Sequence, residues 1–197
     1  MASPIEFTTS ERYARTLFGF WLYLLTDLVM FGAVFASYLV LRNSTYGGPS
    51  AQDLLSLWHG FGVTVLLLTS ALFAGLTRVQ AFRSKVFGTV LQLAITTALG
   101  IWFLGATFSE SATILAQGFS WKMSAFLSAF FTLIWLHSFH ILAAILWSLL
   151  MMFQIALRGI TEHTFRRLTM LSFFWKFLAL LWTFTFTIVY LMGVGGL

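Results

Sequence analysis

The chain has 197 residues, of which 59% are hydrophobic and 9% charged, with a mean hydropathy of +0.91 and a net charge of +5. A soluble domain carries about a quarter charged residues, so a water-soluble enzyme is excluded, and the positive charge points to membrane topology rather than to nucleic acid. Cysteine is absent, which rules out disulfides, thiolate-bound zinc and iron–sulfur clusters.

Five apolar runs follow one another at about 17–41, 54–77, 86–108, 123–157 and 168–192. Each reaches the ~20 residues that a helix needs to cross a hydrocarbon core. The runs are continuous, whereas barrel strands alternate over only ~9–11 residues, and a helix satisfies its own backbone in lipid. The expected architecture is all-α: a polytopic membrane protein, a bundle of five transmembrane helices. It forms a single membrane domain over 1–197 with an N-terminal tail at 1–16.

The first run follows Arg12 and Arg15 but is too long for a signal-peptide core, and no small-residue cleavage pattern follows it, so it is read as a retained span. Arg42 to Ser50 is turn-rich and reads as a loop. The fourth run, at about 35 residues, would be about 50 Å long as a helix; it either tilts or projects into water. Ala33 with Ser37, Ala71 with Gly75, and Ala125 with Ala129 are spaced four apart and read as packing notches. Trp21, Trp58, Trp121 and Trp175 are expected in interfacial belts.

Lysine and arginine fall on alternate connections. Arg12, Arg15, Arg78, Arg83, Lys85, Arg158, Arg166 and Arg167 lie on one side, against Arg42 and Lys122 on the other. Eight against two predicts the N-terminus in the cytoplasm and the C-terminus outside.

Chemistry, if present, must come from the few polar groups inside the runs. Asp27 is the sole charge of the first span and Lys176 of the fifth. An ionisable group at such depth is a functional-site candidate. Asp27 reads as a proton-handling or pairing carboxylate, or as a neutral acid bonded to a neighbouring helix. Lys176 lies at similar depth; it pairs with Asp27 or snorkels on its long stem to the cytoplasmic interface. His137 and His140 share one helical face. They read as neutral imidazoles bonded between helices, or as half of a metal site that needs ligands from other helices, His59 being placed too near the outer surface. Glu110, at the outer end of the third span, caps, faces solvent or meets a partner loop. Glu162 and His163 are read as solvated loop residues. No nucleophile–base pair, phosphate loop or cofactor fingerprint occurs.

Several segments together carry a resemblance. The opening Leu17-Phe18-Gly19-Phe20-Trp21-Leu22-Tyr23-Leu24-Leu25-Thr26-Asp27, the Gly47-Gly48-Pro49 loop followed by Asp53, and Phe126-Leu127-Ser128-Ala129-Phe130-Phe131 ahead of Leu136-His137-Ser138-Phe139-His140-Ile141 are the first three. Phe174-Trp175-Lys176-Phe177-Leu178 through Val189-Tyr190-Leu191-Met192-Gly193 is the fourth. Over about residues 16–193 the chain resembles subunit III of bacterial haem-copper oxidases, nearest the cytochrome bo-type ubiquinol oxidase, as a divergent member. The resemblance implies an accessory, non-catalytic subunit of a proton-pumping quinol oxidase in aerobic respiration. Such a subunit supports assembly and stability, binds lipid and borders the proton-uptake side of subunit I.

It further implies no cofactor in this chain, haems and copper in subunit I, and room for bound phospholipid. The implied partners are subunit I as main contact, subunits II and IV, and membrane lipids, with no nucleic acid. The implied location is the bacterial inner membrane. Asp27 falls on the family's carboxylate of this helix, His137 and His140 on its two histidines, and Glu110 on the second of two acidic positions. The first acidic position is Thr107, the glycine between the histidines is Ser138, and the last helix has Lys176 and Ala179 where the family has histidine and aspartate. The expected site is therefore a rebuilt intramembrane polar cluster of Asp27, His137, His140, Lys176 and Glu110, for lipid, proton-side or subunit contact. Other readings are an independent small proton channel or transporter, and a subunit III-like protein of a nitric oxide reductase or cytochrome c oxidase. A haem-bearing enzyme ranks last, because its best two histidines share a helix.

Overall fold

The computed structural model describes residues 4–194, with side chains from residue 13 onward. The side chain of Arg12 and the end of the charge-free tail thus lie outside the described residues. The described elements are helices α1 (Pro4–Leu41), α2 (Ala51–Leu54), α3 (Leu57–Phe82), α4 (Val86–Ala116), α5 (Ala125–Arg158) and α6 (Glu162–Thr185), a π-helical stretch Phe186–Leu191, and α7 (Met192–Val194). No strand occurs among the described residues. Five helical spans are long and apolar enough to cross a membrane: Tyr13–Leu41, Leu57–Phe82, Val86–Ala116, Ala125–Arg158 and Glu162–Val194.

The helices outrun the apolar runs because polar flanks continue them. Thr161 caps α6 by accepting from the Thr164 amide at 3.2 Å, so this helix begins six residues before the apolar run at 168. In α4, Thr113 donates to the Ser109 carbonyl at 2.9 Å, and the helix runs on past Glu110 to Ala116. Glu110 is therefore a mid-turn residue and not a helix end. α5, at 34 residues, is too long to stand upright within the hydrocarbon.

Helices α3, α4, α5 and α6 form the packed centre, and α1 lies against α5 and α6. Leu24, Asp27, Phe31 and Tyr38 form the buried stripe of α1, all below 7% exposed. Their successive offsets of three, four and seven keep them on one helical face. The remainder of α1 is open, with Phe18, Val29 and Val40 each more than 60% exposed.

Buried hydroxyls are satisfied mostly within their own helix. Thr64, Thr77, Thr97, Thr107 and Ser148 each donate to the carbonyl four residues back. This matters in lipid, where no water can take their place. A smaller set joins helices. Trp175 Nε1 donates to Ser70 Oγ at 2.6 Å, and Ser70 Oγ donates to the Thr96 carbonyl at 3.1 Å, tying α6 to α3 and α3 to α4. Ser172 Oγ reaches the Ala74 carbonyl at 3.0 Å, and Trp182 Nε1 the Thr64 hydroxyl at 3.0 Å. Trp175 is thus fully buried and is no part of an interfacial belt, because its indole N–H finds an acceptor inside the bundle. Trp21, Trp58 and Trp121 do sit on the surface.

The close approaches fall at Gly60, against the Tyr190 ring, and at Gly100, against Trp175. Ala33 and Ser37 lie on the open face of α1, so that notch receives no helix of this chain.

The short α2 is held by a carboxylate. Asp53 Oδ2 accepts from Ser50 N at 2.8 Å and from Ser50 Oγ at 2.7 Å. These two bonds favour the charged form and hold the Asp53 carboxyl below its ordinary range. A lowered carboxyl stabilises above its unfolded value and loses that contribution as pH falls through its folded one. Amide exchange across Ala51–Leu54 should therefore be flat between pH 7 and 5 and rise only below the ordinary aspartate range, once intrinsic exchange rates are divided out.

Candidate functional site

Asp27 projects from the buried stripe of α1 toward α5, where His140 Nε2 stands 3.7 Å from Asp27 Oδ2. Both side chains are 9% exposed. The distance is longer than a good N–H···O bond of about 2.7–3.2 Å, so the contact is ionic or dipolar. His140 Nδ1 lies 2.8 Å from the Leu136 carbonyl. A carbonyl only accepts, so Nδ1 carries the hydrogen. Nε2 of a neutral ring is then a bare acceptor facing a carboxyl oxygen that has no other hydrogen-bond partner. Two acceptors repel, and the contact becomes favourable when one proton lies on the pair.

His137, one turn earlier, faces another way. Its Nε2 lies 3.0 Å from the Leu178 carbonyl, which joins α5 to α6. The ring is fully buried and sits 5.6 Å from Phe103 and 5.1 Å from Trp182, centroid to centroid. Phe31 touches both imidazoles, at 6.2 Å and 5.3 Å. The two histidines thus share a helix face but bond different carbonyls, and no group of three His, Cys, Asp or Glu side chains among the described residues could hold a metal ion.

Lys176 does not pair with Asp27; no ion pair involving it occurs among the described residues. Asp27 belongs to the buried face of α1, while Lys176 is on an exposed face of α6. Its Nζ lies 5.9 Å from the Phe173 ring centroid, and 3.6 Å from where a Cβ on Gly75 would stand. It lines a groove of about 370 Å³ with Trp21, Leu25, Leu28 and Leu180.

Glu110 belongs to a third place. Its Oε2 accepts from the Tyr190 hydroxyl at 2.6 Å and faces His59 Nε2 at 3.8 Å. Tyr190 is on the π-helical stretch, which rotates the chain after Thr185, and its ring rests on Gly60. The five residues singled out in the sequence therefore occupy three places: Asp27, His137 and His140 together around Phe31, Lys176 in the groove, and Glu110 with Tyr190. Tyr190, Tyr38 and Trp182 escaped the sequence reading as packing and bonding residues, and Trp175 was placed in an interfacial belt instead. Aromatic residues are so common here that only the small partners, Gly60, Gly100, Thr64 and Ser70, could have marked them.

Fold and site together define a small polytopic membrane subunit whose buried polar groups hold helices to one another. No family model matches the chain. Its sequence is 44% identical over 179 residues to the cytochrome bo(3) ubiquinol oxidase subunit 3 of Pseudomonas aeruginosa, covering 91% of this chain and 86% of that protein. It is 39% identical to the cytochrome c oxidase subunit 3 of Bacillus sp. strain PS3, covering 99% and 94% of the two chains. It is 35% identical to the quinol oxidase subunit 3 of Bacillus spizizenii, covering 99% and 95%. The chain belongs to the subunit 3 family of bacterial quinol and cytochrome c oxidases.

Proposed function

We propose that this chain is the accessory subunit 3 of a proton-pumping haem-copper oxidase that takes electrons from quinol, in the bacterial inner membrane with its N-terminus in the cytoplasm. The observation that carries the reading is the 44% identity, along nine-tenths of the chain, to a subunit 3 of a bo(3) ubiquinol oxidase. The eight-to-two distribution of Lys and Arg supports the orientation. Subunit I, with its haems and copper, is the main partner, and subunits II and IV complete the assembly. The open face of α1, with Phe18, Val29 and Val40, supplies apolar surface for a neighbouring helix or lipid.

In this reading Asp27, His137 and His140 fasten α1 and α6 to α5 and set a proton-holding pair beside the proton-uptake side of subunit I. Lys176 and its groove offer a contact for lipid. An independent channel is the weaker reading, since the hydroxyls of Thr64, Thr77, Thr97 and Thr107 along α3 and α4 place their single protons on carbonyls of their own helix and have none to give along a path.

The test is deletion of the chain in its host. Assembled oxidase, measured as quinol-driven oxygen consumption per membrane haem, should fall and return with a plasmid copy. Unchanged quinol oxidation without the chain would refute the proposal.

A further inference from the structure

His59 and Glu110 face each other across a cavity of about 300 Å³ between α3 and α4, whose other polar lining is Ser56, Ser109, Thr113 and Gln117. No lysine or arginine lines it, and Glu110 is its sole carboxylate. The two helices fix the pair. His59 lies in the first turn of α3, directly behind the N-cap Ser56. Glu110 lies less than two turns before the end of α4 at Ala116. The start of one helix and the end of its neighbour thus bring an imidazole and a carboxylate to the same opening.

Their separation leaves the contact unfilled. His59 Nε2 stands 3.8 Å from Glu110 Oε2. That is beyond the reach of a good N–H···O bond, and this nitrogen is buried with no hydrogen-bond partner. A zinc ion binds imidazole nitrogen at about 2.0–2.1 Å and carboxylate oxygen at about 2.0–2.2 Å, so at a tetrahedral angle two such ligands stand about 3.4 Å apart. A shift of about 0.4 Å reaches that separation, and the His59 side chain, 35% exposed, has room to make it. Tyr190 supplies the support that a ligand carboxylate needs. Its hydroxyl donates to the same Oε2 at 2.6 Å, and its ring is wedged against Gly60. A carboxylate oxygen has two lone-pair sites, one for the phenol and one for an ion. Hydrogen bonds of this outer kind orient metal ligands.

The donor set selects among cations. Calcium and magnesium take oxygen ligands, whereas imidazole suits zinc and its transition-metal neighbours. We propose that His59 and Glu110 form an exchangeable binding site for a divalent metal ion of the zinc class, with Tyr190 positioning the carboxylate. No third His, Cys, Asp or Glu joins them among the described residues. Two side chains are fewer than a closed structural zinc site uses, so water in the cavity fills the other positions and the ion exchanges with the outside. Bound there, it ties the start of α3 to the end of α4. The site goes beyond the subunit reading, and its readout requires no turnover.

The experiment uses the purified membrane complex containing this chain, freed of loose metal with a chelator and dialysed against zinc chloride. Bound zinc is counted by elemental analysis, and its ligands are read by X-ray absorption at the zinc edge. Wild type should hold one zinc more than His59→Ala, with an imidazole nitrogen and a carboxylate oxygen in its shell. His59→Ala and Glu110→Gln should each weaken that site by about a hundredfold. Tyr190→Phe should weaken it by about tenfold, within the range for losing an outer hydrogen bond to a metal ligand. A large excess of magnesium should leave the zinc in place. Where Glu110→Gln fails to assemble, His59→Ala, a change at a partly exposed side chain, carries the test. Equal zinc content and affinity in wild type and His59→Ala would mean an adventitious ion only and overturns the proposal. So does displacement by magnesium, or a zinc shell without imidazole nitrogen.

Discussion

Gly100→Ala should lower the unfolding stability of the detergent-solubilised chain by about 1–3 kcal/mol, the usual cost of overpacking a full core. The added Cβ would stand 2.8 Å from Trp175 Cζ2 and 2.9 Å from Cη2, both inside van der Waals contact. Trp175 has no room to yield, being fully buried and hydrogen-bonded to Ser70. If the ring moves, the links from α6 to Ser70 and from Ser70 to Thr96 loosen together. Gly105→Ala on the same helix is the control, since nothing lies within 4 Å of its added Cβ. There the change should be neutral or stabilising by up to about 0.5–1 kcal/mol, from helix propensity alone. Thermal unfolding of the two variants side by side checks the contrast; equal behaviour would mean that Trp175 does not pack as described.

The second large effect concerns Asp27 and His140. Asp27→Leu leaves a bare imidazole nitrogen facing hydrocarbon, and His140→Leu takes away the imidazole that faces the Asp27 carboxyl. Each single change should cost about 2–4 kcal/mol, because removing one member of a buried pair strands the other. The double variant should cost less than the sum, with a coupling of about 1–3 kcal/mol. A double-mutant cycle on chemical or thermal unfolding measures this directly. Additive losses would mean that the pair shares no proton and that the 3.7 Å separation is incidental. His137→Leu should not couple to Asp27 in the same way, because its bond is to the Leu178 carbonyl.

These contrasts also mark what was legible beforehand. Five spans could be read from run length because the bilayer imposes a minimum that no other environment does. Their ends could not, since Thr161 and Ser109 continue helices through polar stretches by supplying local hydrogen bonds. The buried stripe of α1 was within reach, as Leu24, Asp27, Phe31 and Tyr38 recur at helical spacing. Its partner was not. Similar depth pointed to Lys176 and left His140 unconsidered as a partner, and only the rotation of α6 about its axis, absent from a single sequence, turns Lys176 outward. The Glu110 cluster depended on the π-helical stretch at Phe186–Leu191, which shifts side-chain register without a proline or other marker. The family itself was legible because its motifs depend on order along the chain, which no packing detail alters.

In the function proposed above, this chain is a packed scaffold that works beside a redox-active neighbour. The direct measurement is affinity purification of the tagged chain from aerobic membranes in mild detergent, with subunit identification and an optical spectrum, followed by the same spectrum on the chain separated from its assembly. The expected result is co-purification with a large haem-bearing membrane subunit, haem absorbance in the assembly, and none in the isolated chain. A chain that purifies alone, or that keeps haem when separated, would contradict the account.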